Sequence, residues 1–256
     1  MIPRHLHQIF LTGALPDRLA DNVAAIRALN PGWSHTLYSA ASAEAFIAAE
    51  YGPTMLAHYL RIDPAYGAAR ADLLRHLILY KQGGVYLDIK STLSKPLDDV
   101  LRPDDAYVVM QWRNGVGEPE EGYGLHRDLA HVSGGEYITH CLIAEAGHPF
   151  TKAAIDQIVA NVARYRPWSA VGRTGVLRTT GPIAYTLAVH PLSAPHRLAS
   201  EAEIGSALSL QDYDHSATFA THYSTLRNPV VKLGVVGRLA SGAFVKLREI
   251  KTRVTD

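Results

Sequence analysis

The segment Ala71–Lys90, ADLLRHLILYKQGGVYLDIK, decides the fold because it contains a helix, its stop signal and a strand in direct succession. Apolar residues recur in its first half with the period of an α-helix, and the pair Gly83–Gly84 is a typical helix end. We therefore predict a helix over 66–82. The β-branched and aromatic run 84–89 predicts a short strand that ends near the carboxylate of Asp88.

Three charged residues of this segment are candidates for a functional site. Asp72 and Arg75 are three residues apart, which places them side by side on one face of the predicted helix. Asp88 closes a mostly apolar strand, and in an open α/β sheet the C-terminal ends of strands face the ligand crevice. A carboxylate at that point meets a substrate or a metal ion, or it caps a turn. The residue alone leaves both interpretations open.

The remainder of the chain alternates strand and helix patterns, which predicts an α/β protein with a parallel-rich sheet. The glycine-rich and acidic stretch between Arg113 and Gly124 predicts a surface loop, either a plain loop or a lid on the acceptor side of an enzyme. Strands are predicted near 4–11, 33–38 and 106–110, and helices at 17–29, 42–50, 54–60 and 150–165.

Composition indicates an ordinary globular enzyme. The 256 residues are 47% hydrophobic and 19% charged, enough for a substantial core. The net charge of +1 and the lack of a basic stripe argue against nucleic acid as a partner. Cys141 lies in an apolar run and is predicted to be a buried small hydrophobe. No signal-peptide core or membrane-spanning run is evident in the sequence, so we expect a cytoplasmic protein.

The segment 71–90 resembles the sugar-binding region of retaining glycosyltransferases with a DXD (Asp-x-Asp) motif, the group that contains initiating α-mannosyltransferases, capsular polysaccharide transferases and, more distantly, glucosylating toxins. Four further pieces resemble family landmarks in the family's order. The resemblance covers roughly residues 1–190. The additional pieces are Ile2–Phe10 (IPRHLHQIF), Asn30–Tyr38 (NPGWSHTLY), Ala146–Phe150 (AGHPF) and Thr179–Pro182 (TTGP).

This resemblance implies a fold, a domain division and an activity. The expected fold is a GT-A-type, Rossmann-like mixed sheet flanked by helices, with a helical C-terminal appendage. Residues 1–227 would form the GT-A-like domain and residues 228–256 a basic amphipathic tail. The implied enzyme is a retaining hexosyltransferase that moves a hexose from a UDP- or GDP-linked donor to a saccharide or lipid-linked acceptor in surface polysaccharide synthesis.

The resemblance also implies roles for individual residues. Asp72 and Arg75 would bind hydroxyls of the donor hexose, and Asp88 would contact the ribose or the diphosphate, directly or through a cation. Phe10 stands where the family has an aromatic residue that stacks on the base. The predicted donor-binding set is Gln8, Phe10, Asp72, Arg75, Tyr86, Asp88 and His222.

Lys90 departs from the motif, because the family has its second Asp at this position. That carboxylate binds Mn²⁺ or Mg²⁺ in the family, and an ammonium repels such an ion. Lys90 could itself neutralise the leaving diphosphate, which makes it a catalytic candidate beside Asp72, Arg75 and Asp88. Alternatively Asp88 and His222 hold a weaker metal. In a third interpretation the protein is a catalytically degenerate sugar-nucleotide-binding protein; the retained charged residues favour the first two.

The C-terminal stretch Asn228–Asp256 interleaves apolar and basic residues. Such a pattern is typical of a peripheral, interfacial membrane contact, which would place the protein at the inner face of the membrane. It is equally typical of a helix packed on its own domain with a solvated basic face. The predicted partners are thus a nucleotide sugar, a saccharide or lipid-linked acceptor and a membrane surface.

Overall fold

The computed structural model describes residues 1–208 and 223–255. Its main feature is a six-stranded sheet with the strand order β2-β1-β3-β6-β5-β7. A second, two-stranded sheet pairs β4 with β8. The strands are β1 (His5–Ile9), β2 (Ser34–Tyr38), β3 (Gly84–Leu87), β4 (Thr92–Leu93), β5 (Tyr107–Met110), β6 (Cys141–Ala144), β7 (Arg197–Ala199) and β8 (Ser206–Ala207).

The main sheet is mixed, with one strand reversed. Strand β1 pairs in parallel with both β2 and β3, and β5 pairs in parallel with β7. Strand β6 is antiparallel to both of its neighbours, β3 and β5. The chain places β2 on one side of β1 and β3 on the other, so a topological switch point lies between β1 and β3. Ligands of open α/β sheets bind outside the carboxyl ends of strands at such a point.

Helices cover the sheet, and the predicted mixed α/β architecture is confirmed. The break predicted between helices at 42–50 and 54–60 is present as a kink inside α2 (Ala40–Arg61), at Gly52, whose φ of 77° and ψ of −177° are not helical. The helices are α1 (Asp17–Leu29), α2 (Ala40–Arg61), α3 (Gly67–Gln82), α4 (Leu97–Val100), α5 (Pro149–Arg164), α6 (Gly172–Thr179), α7 (Pro182–Val189), α8 (Glu201–Ile204) and α9 (Val235–Thr255).

Helix α3 lies at the centre of the core. Its apolar residues from Leu73 to Leu79 are fully buried, together with the aromatic and aliphatic side chains of α5 and one face of the sheet. The predicted burial of Cys141 in β6 is also observed, and burial raises the pKa of its thiol to about 12. Because α3 is buried on most of its surface, its polar residues must find partners inside the protein.

The beginning of the predicted C-terminal tail packs into this core. Val230 and Val231 are fully buried, and Val231 forms an antiparallel bridge with Ile62. The N–H of Lys232 donates to the carbonyl of Arg61 at 2.8 Å. Helix α9 begins three residues later, and the division at 227/228 stays a prediction. Among the described residues, no helix has the length and apolarity needed to cross a membrane.

The turn from α3 into β3 requires glycine at Gly84. Its φ is 100°, and a Cβ at this position would lie 2.3 Å from the carbonyl oxygen of His5 in the neighbouring strand β1. We predict that Gly84→Ala lowers the free energy of unfolding by about 2–4 kcal/mol, because it combines backbone strain with a clash against backbone. Urea denaturation measures this loss.

Gly67→Ala is the matched control. Gly67 has an ordinary φ, and a Cβ there would meet no atom within 4 Å. We expect this variant to unfold at the wild-type urea concentration or slightly above it, because alanine favours the helix. Equal stability of the two variants would contradict the argument.

Candidate active site

A buried ion pair on α3 forms the centre of the candidate site. Arg75 Nη2 lies 2.5 Å from Asp72 Oδ1, and the two residues are only 4% and 6% exposed. The hydroxyl of Thr180 donates to the second carboxylate oxygen of Asp72 at 2.8 Å. Both oxygens of this carboxylate are therefore held, and the predicted neighbours Asp72 and Arg75 do share one helix face.

Arg75 connects α3 to three other parts of the chain. Its Nη1 donates to the carbonyl of Thr139, just before β6, and lies 3.5 Å from Asp88 Oδ1. The guanidinium also lies over the ring of Tyr86, 4.8 Å from the ring centroid. Burial by itself lowers the pKa of Arg75, but the neighbouring tyrosine and carboxylates raise it above its ordinary value. The arginine thus stays charged inside the protein.

Asp88 is the exposed member of the cluster. It follows β3 directly, and its side chain is 23% exposed. Its N–H donates to the carbonyl of His140 at 2.7 Å, and the hydroxyl of Tyr86 donates to Asp88 Oδ1 at 2.6 Å. Burial raises the pKa of Tyr86 well above its ordinary value, which keeps this phenol a neutral donor. Asp88 is therefore the more accessible of the two carboxylates in the cluster.

The two carboxylates differ in their electrostatic environment. Burial raises the pKa of Asp72, whereas the charge of Arg75 and the hydroxyl of Thr180 oppose that rise. One guanidinium is thus shared between a fully enclosed acid and a partly solvated one. Such an arrangement fixes the geometry of the inner acid and leaves the outer acid available for binding.

Lys90 lies in a turn that is hydrogen-bonded to a side chain of α1. The N–H of Ser91 donates to the carbonyl of Asp88 at 2.9 Å, which closes the turn. The amide of Asn22 donates to the carbonyls of Ile89 and Ser91 at 3.2 and 2.9 Å. Lys90 is half-buried, and its ammonium has no ion pair or hydrogen bond with any residue that the structure describes. A fixed backbone thus carries an uncommitted positive charge next to Asp88.

The other predicted donor-binding residues have different surroundings. Phe10, directly after β1, is 8% exposed and packs in a small apolar cluster with Ile89 and residues of α1. Gln8 is fully buried inside β1, and its Oε1 lies 3.0 Å from His35 Nε2. His222 lies outside the described residues. Burial and, to a smaller extent, the charge of Asp72 raise the pKa of the phenol of its neighbour Tyr223.

The described residues do not fit a divalent metal ion. Within residues 1–208 and 223–255, no three His, Cys, Asp or Glu side chains are placed to hold one. Asp88 Oδ1 already accepts from Tyr86 and faces Arg75, and Lys90, two residues further along the chain, is a cation. Mn²⁺ and Mg²⁺ need several oxygen ligands, which this arrangement lacks.

Sequence reasoning missed four residues that build the site. They are Asn22, Thr139, His140 and Thr180. Thr139 and His140 act through backbone carbonyls, which carry no residue-specific signal. Of the four, only Thr180 carried a sequence signal, because it lies in the segment Thr179–Pro182, whose resemblance to the family is weak when taken alone.

A cavity of about 470 Å³ lies elsewhere on the protein, lined by residues that include Lys95, Arg102, Arg197 and Glu203. None of its lining residues belongs to the cluster of Asp72, Arg75 and Asp88. Two of its three cations are engaged: Arg197 pairs with Asp105 at 2.7 Å, and Lys95 donates to the carbonyls of Ala202 and Glu203 in α8. The candidate site is therefore defined by the charged cluster at the sheet's switch point and not by the cavity.

Thr180 allows a direct test of the buried cluster. We predict that Thr180→Val lowers the free energy of unfolding by about 1.5–3 kcal/mol, because it leaves one oxygen of a buried carboxylate without its donor. Thr180→Ser restores the hydroxyl and should keep most of the stability. Chemical denaturation measures both changes.

Thr179→Val is the control, since Thr179 is also buried but its hydroxyl makes no hydrogen bond with the described residues. Its expected effect is within about 0.5 kcal/mol. If the two valine variants lose the same stability, the Thr180 hydroxyl does not support Asp72.

Comparison with known proteins shows which proteins the chain resembles. Residues 16–108 match the family model described as the glycosyltransferase sugar-binding region containing DXD motif. The chain is 28% identical over 182 residues to inositol phosphoceramide mannosyltransferase 3 of Schizosaccharomyces pombe. This alignment covers 71% of this chain and 43% of the relative. It is 24% identical over 195 residues to a mannosyl phosphorylinositol ceramide synthase of Saccharomyces cerevisiae. This alignment covers 73% of this chain and 49% of the relative.

The chain thus spans less than half the length of these two relatives. Among solved structures, the PaToxG glycosyltransferase superposes with a TM-score of 0.50 at 16% identity, over 74% of this chain and 69% of that one. This likeness supports the fold alone, and the predicted GT-A-type fold is confirmed. Residues 16–108 therefore resemble the sugar-binding region of the DXD-type glycosyltransferases, and the chain is similar to members of that family.

Proposed function

We propose that this chain is a glycosyltransferase that moves a hexose from a UDP- or GDP-linked donor to a saccharide or lipid-linked acceptor. The observation that carries the proposal is the cluster of Asp72, Arg75 and Asp88 at the carboxyl end of β3, next to the switch point of the sheet. The cluster lies inside the segment that matches the family's sugar-binding region.

The proposed roles follow the exposure of the three charged residues. Asp88, which is partly solvated, contacts the ribose or the diphosphate of the donor. Asp72 and Arg75 bind hydroxyls of the hexose at the inner end of the site, where their mutual hydrogen bonds fix them before the donor arrives. A pre-set geometry orients C1 of the hexose toward the acceptor and lowers the entropic part of the barrier.

We propose that Lys90 supplies the positive charge that a divalent metal supplies in the family. Departure of UDP or GDP leaves negative charge on the diphosphate, and a fixed ammonium stabilises this charge without oxygen ligands. The uncommitted ammonium of Lys90 and the misfit of the described residues to Mn²⁺ or Mg²⁺ support this role. His222 is a second proposed contact to the leaving diphosphate.

The proposed chemistry retains the anomeric configuration. The bond between C1 and the phosphate oxygen breaks, and the acceptor oxygen forms a bond to C1 on the same face. The acceptor proton passes to the leaving phosphate oxygen. No separate protein base is needed. The protein must then position the hexose and the acceptor and stabilise the charge of the departing diphosphate. These are the tasks proposed for the cluster and for Lys90.

The relatives suggest the first substrates to test. Their names describe mannose transfer to inositol phosphoceramide. A GDP- or UDP-linked hexose such as mannose and a lipid-linked acceptor are therefore the leading candidates for this chain. A role in surface polysaccharide synthesis fits the same chemistry. We place the reaction on the cytoplasmic side, at the inner face of a membrane that presents the acceptor.

Donor hydrolysis is the first experiment, because transferases slowly release the sugar to water. UDP-glucose, UDP-galactose, UDP-N-acetylglucosamine and GDP-mannose are each incubated with the protein, and the released nucleotide diphosphate is measured. We expect one donor to be hydrolysed, and Asp88→Asn to lower that rate about 100-fold through weaker donor placement.

Asp156→Asn is the matched control, since this aspartate is 61% exposed on α5 and pairs with Lys152. It should hydrolyse the donor at the wild-type rate. Donor binding without hydrolysis in the wild type would instead indicate a degenerate sugar-nucleotide-binding protein. Neither binding nor hydrolysis of any donor would overturn both functions.

The role proposed for Lys90 leads to a separate prediction about how donor hydrolysis depends on metal ions. We expect wild-type hydrolysis to survive EDTA, and Lys90→Met to lower the rate about 100-fold because the leaving diphosphate loses its counter-charge. Lys90→Arg keeps the charge and should stay within about tenfold of the wild type. Steady-state rates with EDTA and with added Mn²⁺ measure these effects.

Lys152→Met, at a 51% exposed lysine on α5, controls for the loss of a surface charge and should have no effect. Hydrolysis that stops with EDTA and returns with Mn²⁺ would contradict the role of Lys90. In that case the metal would be assigned to Asp88 together with His222.

A further inference from the structure

Helix α9 presents an apolar surface to solvent near its start. Val235, Val236 and Leu239 are 65%, 81% and 71% exposed, which is unusual for three large aliphatic side chains within five positions. Val235, Leu239 and Ala243 recur at four-residue spacing, so they lie along one face of the helix. We call this set with Val236 the apolar stripe of α9.

The opposite face of α9 is more buried. Ser241 is 1% exposed, and Gly237, Phe244 and Val245 are half-buried. These residues recur at spacings of three, four and seven, which defines a second face turned away from the apolar stripe. Within residues 235–246, the part of α9 whose side chains the structure describes, the apolar stripe is therefore the exposed face and the rest of the domain leaves it uncovered.

Every charge in this part of the chain is positive. Between Tyr223 and Lys246 the sequence contains four basic residues and no Asp or Glu. All four are exposed, and Lys246 lies seven positions after Leu239, at the end of the apolar stripe. The four are Arg227, Lys232, Arg238 and Lys246. A second copy of this surface would bring like charges together, whereas an anionic lipid surface would attract the surface as a whole.

We propose that the apolar stripe of α9 and its basic flank dock in the headgroup region of an anionic phospholipid surface. Val235, Val236 and Leu239 would enter the boundary between headgroups and acyl chains, and Arg238 and Lys246 would contact lipid phosphates. The proposal goes beyond the sugar transfer and does not require it, since lipid binding is measured without a donor.

The segment before α9 holds this surface at a fixed place relative to the candidate site. The hydroxyl of Tyr66 donates to the carbonyl of Asn228 at 2.6 Å, and the amide of Asn228 donates to Asp63 at 3.2 Å. The N–H of Val230 donates to the hydroxyl of Tyr165 at 3.1 Å. Tyr223, five residues before Asn228, lies beside the cluster of Asp72 and Arg75. Docking of α9 would thus hold the donor site close to the lipid surface.

Vesicle sedimentation tests the proposal with the full chain. We expect the protein to sediment with phosphatidylcholine vesicles that contain phosphatidylserine, to bind pure phosphatidylcholine at least about tenfold more weakly, and to dissociate as salt rises. The triple variant V235S/V236S/L239S should bind the anionic vesicles at least about tenfold more weakly. The double variant R238Q/K246Q should lose most of the dependence on phosphatidylserine and salt.

The matched control is V116S/L125S/L198S, which removes three other exposed aliphatic side chains, at 96%, 58% and 60% exposure. It should sediment like the wild type. Donor hydrolysis in vesicle-free solution should be unchanged in V235S/V236S/L239S, which separates a failure of lipid docking from a failure of the sugar transfer. Circular dichroism verifies that each variant is folded.

Three results would overturn the proposal. The first is the absence of vesicle binding by the wild type at low salt. The second is an equal loss of binding in the two triple variants. The third is self-association in light scattering that V235S/V236S/L239S abolishes while no form binds vesicles, which would assign the apolar stripe to a second copy of the chain.

Discussion

The enclosed guanidinium of Arg75 constrains most of the structure around it. A buried charge without partners is far more costly than one that is paired, and removing one partner of such a pair typically costs about 3–5 kcal/mol. Arg75 satisfies this requirement with Asp72 on its own helix, the carbonyl of Thr139 ahead of β6, and Asp88 after β3. Helix, reversed strand and central strand can therefore reach their final positions only together.

The same constraint explains which features could be predicted from sequence. Helix α3 and strand β3 are encoded locally, by a periodic apolar run, two glycines and a β-branched run, so their positions agree with prediction to within a residue or two. The side-by-side placement of Asp72 and Arg75 follows from helix geometry alone. These parts of the site need no knowledge of the distant chain.

The remaining parts of the site depend on contacts across long separations. Thr180 is 108 residues from Asp72, and Asn22 is 67 residues from Ile89. A threonine and an asparagine are common at helix ends and turns, so neither residue type indicates a particular partner. The reversed direction of β6 could not be predicted either, because the apolar run of Cys141–Ala144 is compatible with either strand direction. The roles of Lys90 and Phe10 stay predictions for a different reason, which is that their chemistry depends on a ligand.

The reversal of β6 has an effect on how the protein can diversify. Strand β5 runs in the direction of β3, so it ends at the edge of the sheet where Asp88 lies, and β6 begins at that same edge because it runs the opposite way. The whole connection from 111 to 140 therefore starts and finishes beside the ligand crevice. Loops tolerate insertions and substitutions far better than strands do. This connection can change in length and sequence during evolution and reshape the rim of the crevice, while Asp72, Arg75 and Asp88 stay on or beside the packed elements α3 and β3.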